Sequence, residues 1–258
     1  MLLAYDDYGP GPVLVLLHGF PLSRKIWSAQ ETSVGSMYRV IAPDLRGHGS
    51  SAAPEGVYTM DVMAADVIEL LDALQITQPV VLGGLSMGGY VALALRALYP
   101  QRVRALMLMD TRATADTPEA AQNREELART VEATRSVKPV VDSMLPRLFS
   151  DETRARRAEL IPPVRAIMEK TAPRAVAAAL RGMARRPDRM AELPSITVPT
   201  LVLVGDHDAI APPDESRAMA AALPNAQLAI IPGGGHLAPL ENSEAANEAI
   251  LGFLSKLP

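Results

Sequence analysis

The sequence predicts an α/β fold: a mostly parallel sheet with helices on both faces and an inserted helical cap. Three observations predict it. Short apolar runs recur along the chain, helical patterns separate several of them, and over residues 112–195 the strand pattern drops out and only helical spacing remains. The apolar runs are VLVLL at 13–17, YRVIA at 38–42, PVVLG at 79–83, VRALMLMD at 103–110, TLVLVG at 200–205 and AQLAIIP at 226–232. They are nearly continuously apolar rather than alternating, as strands covered on both faces must be. The intervening helical patterns include MDVMAADVIELLDALQI at 60–76, GGYVALALRALYP at 88–100, DESRAMAAALP at 214–224 and SEAANEAILGFLSKL at 243–257. Strand and helix in alternation give a parallel sheet wound with helices.

The stretch 112–195 is rich in Ala, Arg and Glu and is interrupted by prolines at 118, 139, 146, 162, 163, 173, 187 and 194, so it predicts several short helices. It divides the chain into a core of residues 1–111 and 196–258 and a cap of residues 112–195. The cap carries 16 basic against 12 acidic residues while the whole chain has a net charge of −4, so its charge sets it apart from an acidic core. Solvated helix faces account for such a balance. A lid that attracts anionic substrates is the sharper alternative.

Composition excludes several classes. At 258 residues and 48% hydrophobic the chain can bury a full core. The acidic balance argues against a nucleic-acid or anionic-membrane partner, either of which needs clustered Lys and Arg. With no cysteine there is no disulfide framework, no thiolate nucleophile and no Cys-ligated zinc, and no histidine cluster has metal-ligand spacing, so neither metal nor cofactor is expected. The N-terminal MLLAYDDYG meets Asp6 and Asp7 before any apolar run long enough for a signal peptide, so a cytoplasmic protein is expected. Residues 73–95 carry no charge, but Pro79 and four glycines interrupt them, which fits a buried strand, turn and helix better than a membrane span. Oligomeric state is left open.

Gly84-Leu85-Ser86-Met87-Gly88 matches G-x-S-x-G with an expected strand before it and an expected helix after it. That context marks a nucleophile elbow. The serine must occupy a strained, tight turn, and side chains two residues to either side would collide there. A helix beginning at that serine aims backbone N–H groups and the positive end of its dipole at any oxyanion formed beside it. A phosphate-binding loop would need Lys and Ser/Thr after the last glycine, where this chain has Gly89 and Tyr90. A serine hydroxyl also needs a base, and the histidines available are His18, His48, His207 and His236. The base needs a carboxylate, for which Asp206, Asp208 and Asp110 each follow an expected strand.

Taken together, LHGFPLSRKIW, APDLRGHGSS, GLSMGGYVAL, LVGDHDAIAPP and GGGHLAPLENSEAANEAI resemble the α/β-hydrolase superfamily in motif and in order, over essentially the whole chain. Within it the chain is similar to the branch that holds 3-oxoadipate enol-lactonases, small esterases and the cofactor-free haloperoxidases, also called perhydrolases. HGFPLS leans to the perhydrolases and GLSMGG to the lactonases. Members usually have two strands before the His-Gly loop, and this chain has room for about one.

The resemblance implies a chain order of serine, acid, histidine, and so Ser86 as nucleophile, Asp208 as acid and His236 as base, with Asp110 as the rival acid. His236 follows three glycines, in a loop flexible enough to bring an imidazole over the sheet edge. The oxyanion hole falls to the N–H groups of Phe20 and Met87. His18, Asp44, Arg46 and His48 then read as loop-building residues. The reaction implied is hydrolysis of carboxylic esters of short to medium acyl chain through an acyl-enzyme, the partner being a small-molecule ester or lactone. An enol-lactonase-like lactone hydrolase or a perhydrolase on the same triad is the alternative, and a non-catalytic ligand receptor is a third class. Haloalkane dehalogenases and epoxide hydrolases are set aside, since they need an aspartate where this chain has Ser86. The substrate pocket is expected beneath the cap among Phe20, Trp27, Met87 and cap residues such as Met144, Leu148 and Phe149, with mostly aliphatic walls. One or two cap arginines facing the serine would instead favour an anionic lactone.

Overall fold

Each apolar run noted above forms a strand within two residues of its expected ends. In the structure, a computed structural model that describes residues 1–257, the strands are β1 (Tyr5–Tyr8), β2 (Val13–Leu17), β3 (Arg39–Pro43), β4 (Val80–Leu85), β5 (Val103–Met109), β6 (Thr200–Gly205) and β7 (Ala226–Ile231). They form one sheet in the order β1-β3-β2-β4-β5-β6-β7, parallel throughout except where β1 runs antiparallel to β3. Every residue of β4 and of β6 is buried. Because successive side chains of a strand point to opposite faces, burial at every position means that both faces are covered.

The N-terminal edge corrects the sequence reading: two strands, not one, precede the His-Gly loop. β1 reads YDDY and escapes a search for apolar runs because its centre is two carboxylates. These are paired on the sheet edge rather than buried. Asp7 accepts from Arg39 at 2.9 and 2.7 Å, and Asp6 pairs with Arg24 at 2.9 Å. The chain then reverses through Gly9 and Gly11, at φ +83° and +92°, a conformation open to glycine at little cost, so residues 9–12 suffice to join β1 to β2.

The helices are α1 (Ser28–Val34), α2 (Met60–Ala73) and α3 (Met87–Leu98), then α4 (Pro118–Thr134), α5 (Lys138–Leu148), α6 (Asp151–Arg156), α7 (Ile161–Lys170) and α8 (Pro173–Ala184) between β5 and β6, and finally α9 (Pro213–Ala222), α10 (Ala238–Glu241) and α11 (Ser243–Leu254). α1 packs on α11, α2 on α3, and α9 on β6 and β7. Between β5 and β6 no strand occurs among the described residues. There five of the eight prolines open helices, Pro118 and Pro173 as first residues and Pro139, Pro162 and Pro163 in first turns, where a missing N–H leaves no bond unmade, while Pro146 lies near the end of α5. α4 lies along α8, held by Arg181, which spans Glu125 at 3.0 Å and Glu132 at 2.6 Å. Many of the other arginines of this stretch pair with an acid one turn away on the surface, as Arg129 does with Glu125 and Arg165 with Glu169. Such pairs contribute only about 0.3–0.5 kcal/mol each and describe solvated faces. Among the described residues no helix is long and apolar enough to cross a membrane.

Candidate active site

The strand β4 ends at Leu85 and α3 begins at Met87, leaving Ser86 alone between them at φ +52°, ψ −115°. A non-glycine residue held there costs roughly 1–3 kcal/mol, so its surroundings must fix it. They do so through the backbone. Ser86 N–H donates to Met109 O at 2.9 Å, while Ser86 O accepts from Gly89 N–H at 2.8 Å and from the Thr111 hydroxyl at 2.8 Å. The glycines make the turn passable: a Cβ at Gly84 would lie 2.2 Å from Gly88 O, and one at Gly88 would lie 2.2 Å from Leu17 O.

The Ser86 hydroxyl lies 2.8 Å from His236 Nε2, and His236 Nδ1 lies 2.8 and 3.0 Å from the two carboxylate oxygens of Asp208. With a carboxylate accepting at Nδ1, the imidazole proton sits on that nitrogen and Nε2 is left as the acceptor for the serine proton. Asp208 is itself fixed, because its Oδ1 also accepts from Ile210 N–H at 2.7 Å and Ala211 N–H at 2.9 Å. Asp206 and His207 face outward beside one another and take no part in this chain of contacts. The end of β6 runs against the loop before His236, since a Cβ at Gly205 would lie 2.3 Å from both Gly234 O and Gly235 O.

Asp110, the rival acid, is fully buried at φ +45°, and both its oxygens are taken by backbone: Gly205 N–H at 2.9 Å and Ala238 N–H at 3.1 Å. Burial first, and then the charge of Asp208, push its carboxyl well above the usual carboxylate range. It ties the end of β6, which leads to Asp208, to the residues just after His236.

The His18-Gly19-Phe20 loop runs against the serine, for a Cβ at Gly19 would lie 3.3 Å from Ser86 Cβ. Its turn is closed by Leu22 N–H on Gly19 O at 2.9 Å, a bond that does not use the Phe20 N–H. Met87 opens α3, so its N–H is among the first-turn donors that have no acceptor within the helix. His18 accepts from Leu45 N–H at 2.9 Å through Nε2, with Nδ1 2.8 Å from Gly19 O. Burial holds His18 at about 4 and His48 at about 3, so both stay neutral. Asp44 accepts from Arg24 N–H at 2.8 Å and Ser50 N–H at 2.7 Å, and Arg46 reaches α2 through both oxygens of Asp66 at 2.6 Å. Among the described residues no group of three or more His, Cys, Asp or Glu side chains is placed to hold a metal ion.

Ser86, His236 and Phe20 open into a cleft of about 320 Å³. Of the residues expected to line it, Phe20 and Met144 do, and Met87 is wholly buried beside it. Trp27, Leu148 and Phe149 do not. Trp27 ends a 3-10 turn and is wholly buried in the core, while Leu148 and Phe149, at the end of α5, are 1% and 4% exposed, and the backbone of Phe149 runs against Gly235. The walls come instead from Tyr90 on α3, Leu127 on α4, Leu180 and Met183 on α8, and Ile210 after Asp208, together with Arg112, Arg124 and Arg147. They are therefore mixed rather than mostly aliphatic. Tyr90 stands one turn beyond Ser86, Arg147 three residues beyond Met144 and Ile210 two beyond Asp208, spacings a helix or tight loop brings onto one side. Arg112 and Arg124 carried no such signal. Arg112 pairs with Glu215 at 3.0 Å, and Arg124 shares Asp116 with Arg186, at 2.6 and 2.8 Å. Burial raises the Asp116 carboxyl, but the two arginines outweigh it and hold it below the usual carboxylate range. Arg147 donates to Ala209 O and has no carboxylate partner among the described residues.

Known proteins share this fold. A thermophilic esterase from Thermogutta terrifontis, solved with malate bound, is 45% identical, with a TM-score of 0.95 over 99% of this chain and 93% of its own. The enol-lactonase from Burkholderia xenovorans LB400 is 30% identical, with a TM-score of 0.91 over 98% of this chain and 96% of its own. A bromoperoxidase from Bacillus anthracis is 27% identical, with a TM-score of 0.86 over 98% and 95%. The profile of the Alpha/beta hydrolase family matches residues 14–249. Since that match takes in both the elbow serine and the histidine loop, the chain belongs to the alpha/beta hydrolase family.

Proposed function

We propose that the protein hydrolyses carboxylic esters through an acyl-enzyme on Ser86. The observation that carries this is the run of contacts from Ser86 Oγ to His236 Nε2 at 2.8 Å and from His236 Nδ1 to Asp208 at 2.8 Å, on a strained elbow. Ser86 Oγ attacks the ester carbonyl as His236 Nε2 takes its proton, and Asp208 stabilises the imidazolium. The Phe20 and Met87 N–H groups bind the oxyanion. Collapse expels the alcohol, which receives the proton from His236, and a water activated by the same nitrogen releases the acid. Residues 112–195 act as a cap over a core of residues 1–111 and 196–258, and α4, α5 and α8 wall the cleft. A sulfonyl fluoride is expected to inactivate turnover of p-nitrophenyl acetate with one label per chain, located on Ser86 by mass spectrometry. A label on any other residue would refute the assignment.

A second reading concerns the substrate's charge. Arg112, Arg124 and Arg147 share the cleft with one aspartate, and a relative at 45% identity was solved with the dicarboxylate malate. This supports an ester or lactone that carries a carboxylate. If so, kcat/KM for a half-ester of a dicarboxylic acid exceeds that for the neutral diester and falls steeply between 20 and 500 mM salt, because screening weakens attraction of an anion but not apolar burial. Equal values with no salt dependence would leave the neutral-ester reading.

A further inference from the structure

We infer that Glu241 is a positioning residue for the catalytic base: its carboxylate fixes the His236 loop and ties it to the junction of α5 and α6, so that the placement of the cap sets the placement of His236. This rests on the hydrolase reading above. Glu241 ends α10 and is 3% exposed. Its Oε1 accepts from Gly235 N–H at 2.8 Å and Leu237 N–H at 3.2 Å, the residues on either side of His236. Its Oε2 accepts from Ser150 N–H at 2.8 Å. A buried carboxylate is costly unless its charge is met by hydrogen bonds, and here backbone N–H groups from two separate parts of the chain meet it.

The two parts are in direct backbone contact. A Cβ at Gly235 would lie 2.5 Å from Ser150 N and 2.8 Å from Phe149 C, so only glycine permits the approach. Ser150 Oγ donates to Gly233 O at 2.8 Å, and the Arg157 guanidinium donates to the Glu241 carbonyl. From the other side Asp110 takes the Ala238 N–H. The N–H groups at 235, 237 and 238 thus all end on buried carboxylates. A segment with three consecutive glycines has much conformational freedom of its own, and these bonds remove it. The imidazole must keep its distance to Ser86, and a displacement of about 1 Å can cost on the order of 10²-fold in rate.

Glu241→Gln tests this with little change of shape. The amide keeps one accepting oxygen and sets an NH₂ against an N–H donor on the other side. Counting active sites by fluorophosphonate titration removes any misfolded fraction, and kcat per site for p-nitrophenyl acetate is expected to fall about 10- to 100-fold with KM nearly unchanged. Ser150→Pro, read against Ser150→Ala because both lose the hydroxyl that donates to Gly233 O and caps Thr153 N–H, removes the N–H at the other end, at a position whose φ of −62° suits proline and whose preceding residue, at φ −115°, ψ 145°, suits a proline after it. It should produce a loss of similar size. In the double variant the two losses should not multiply, since both break one link. Unchanged kcat per site in Glu241→Gln, or losses that multiply, would overturn the link. Where Glu241→Gln leaves no titratable sites, Ser150→Pro decides alone. Wild-type protein without Ser86-dependent turnover would instead sink the hydrolase reading, and this proposal with it.

Discussion

Replacing Ser86 with alanine is expected to lower kcat for p-nitrophenyl acetate by roughly 10⁵- to 10⁶-fold while leaving the protein folded. The elbow's backbone bonds, to Met109 and from Gly89 and Thr111, use Ser86 N and O and not its hydroxyl, so they survive the change. What remains should be the modest catalysis that oxyanion donors and binding give without a nucleophile. Glycine at the same position separates chemistry from strain. Ser86 sits at φ +52°, ψ −115°, where a Cβ is penalised by roughly 1–3 kcal/mol and glycine much less. Part of that gain is offset by the greater freedom of glycine in the unfolded chain, so Ser86→Gly should be inactive yet more stable than Ser86→Ala by about 1 kcal/mol, or about 2–4 °C in Tm for a chain of this size. Full activity in the alanine variant, or a glycine variant less stable than the alanine one, would contradict the elbow as described.

The strands were legible because burial on both faces leaves nearly every position apolar, and β4 and β6 are the clearest cases. β1 was not, because an edge strand can carry Asp6 and Asp7 and pair them with arginines from other elements. Ser86, Asp208 and His236 were legible through the motifs around them and meet within hydrogen-bonding distance. The cleft walls were a different matter. Which face of a short, proline-opened helix turns to the cleft is decided by how α4, α5 and α8 pack, and nothing local in the sequence records it. Phe149, the one aromatic residue of 112–195, was a natural choice for a pocket but is buried at the end of α5 outside the cleft, where its backbone runs against Gly235. The glycines before His236 suggested mobility, but Gly235 lets two backbones touch and Gly233 takes a φ of +69°. Glu241 gave no signal at all, since its partners are backbone N–H groups that any residue supplies.

Asp208→Asn is expected to lower kcat by about 10⁴-fold, and Asp110→Asn by less than about tenfold. At position 208 the asparagine oxygen can keep the Ile210 and Ala211 N–H groups, which sets the amide nitrogen where Oδ2 met His236. That nitrogen donates, so at the 2.8 Å contact Nδ1 becomes the acceptor and the imidazole proton moves to Nε2, the oxygen 3.0 Å away being already engaged by two N–H groups. There it faces the Ser86 hydroxyl, and the base can no longer accept the serine proton. The imidazolium also loses its counter-charge. At position 110 none of this applies, because both carboxylate oxygens face backbone N–H groups of Gly205 and Ala238. An asparagine there keeps one of those bonds and opposes the other, at a cost of about 1–3 kcal/mol in stability. Against this stands the removal of a carboxyl that burial and Asp208 already drive toward its neutral form, so the net loss of stability should be small. Both variants are to be compared on one ester at pH 7.5, with urea unfolding of each. If Asp110→Asn loses orders of magnitude while Asp208→Asn keeps near-normal kcat, the orienting acid is the one behind the site, and the 2.8 Å contact between Asp208 and His236 is not the one that matters for turnover.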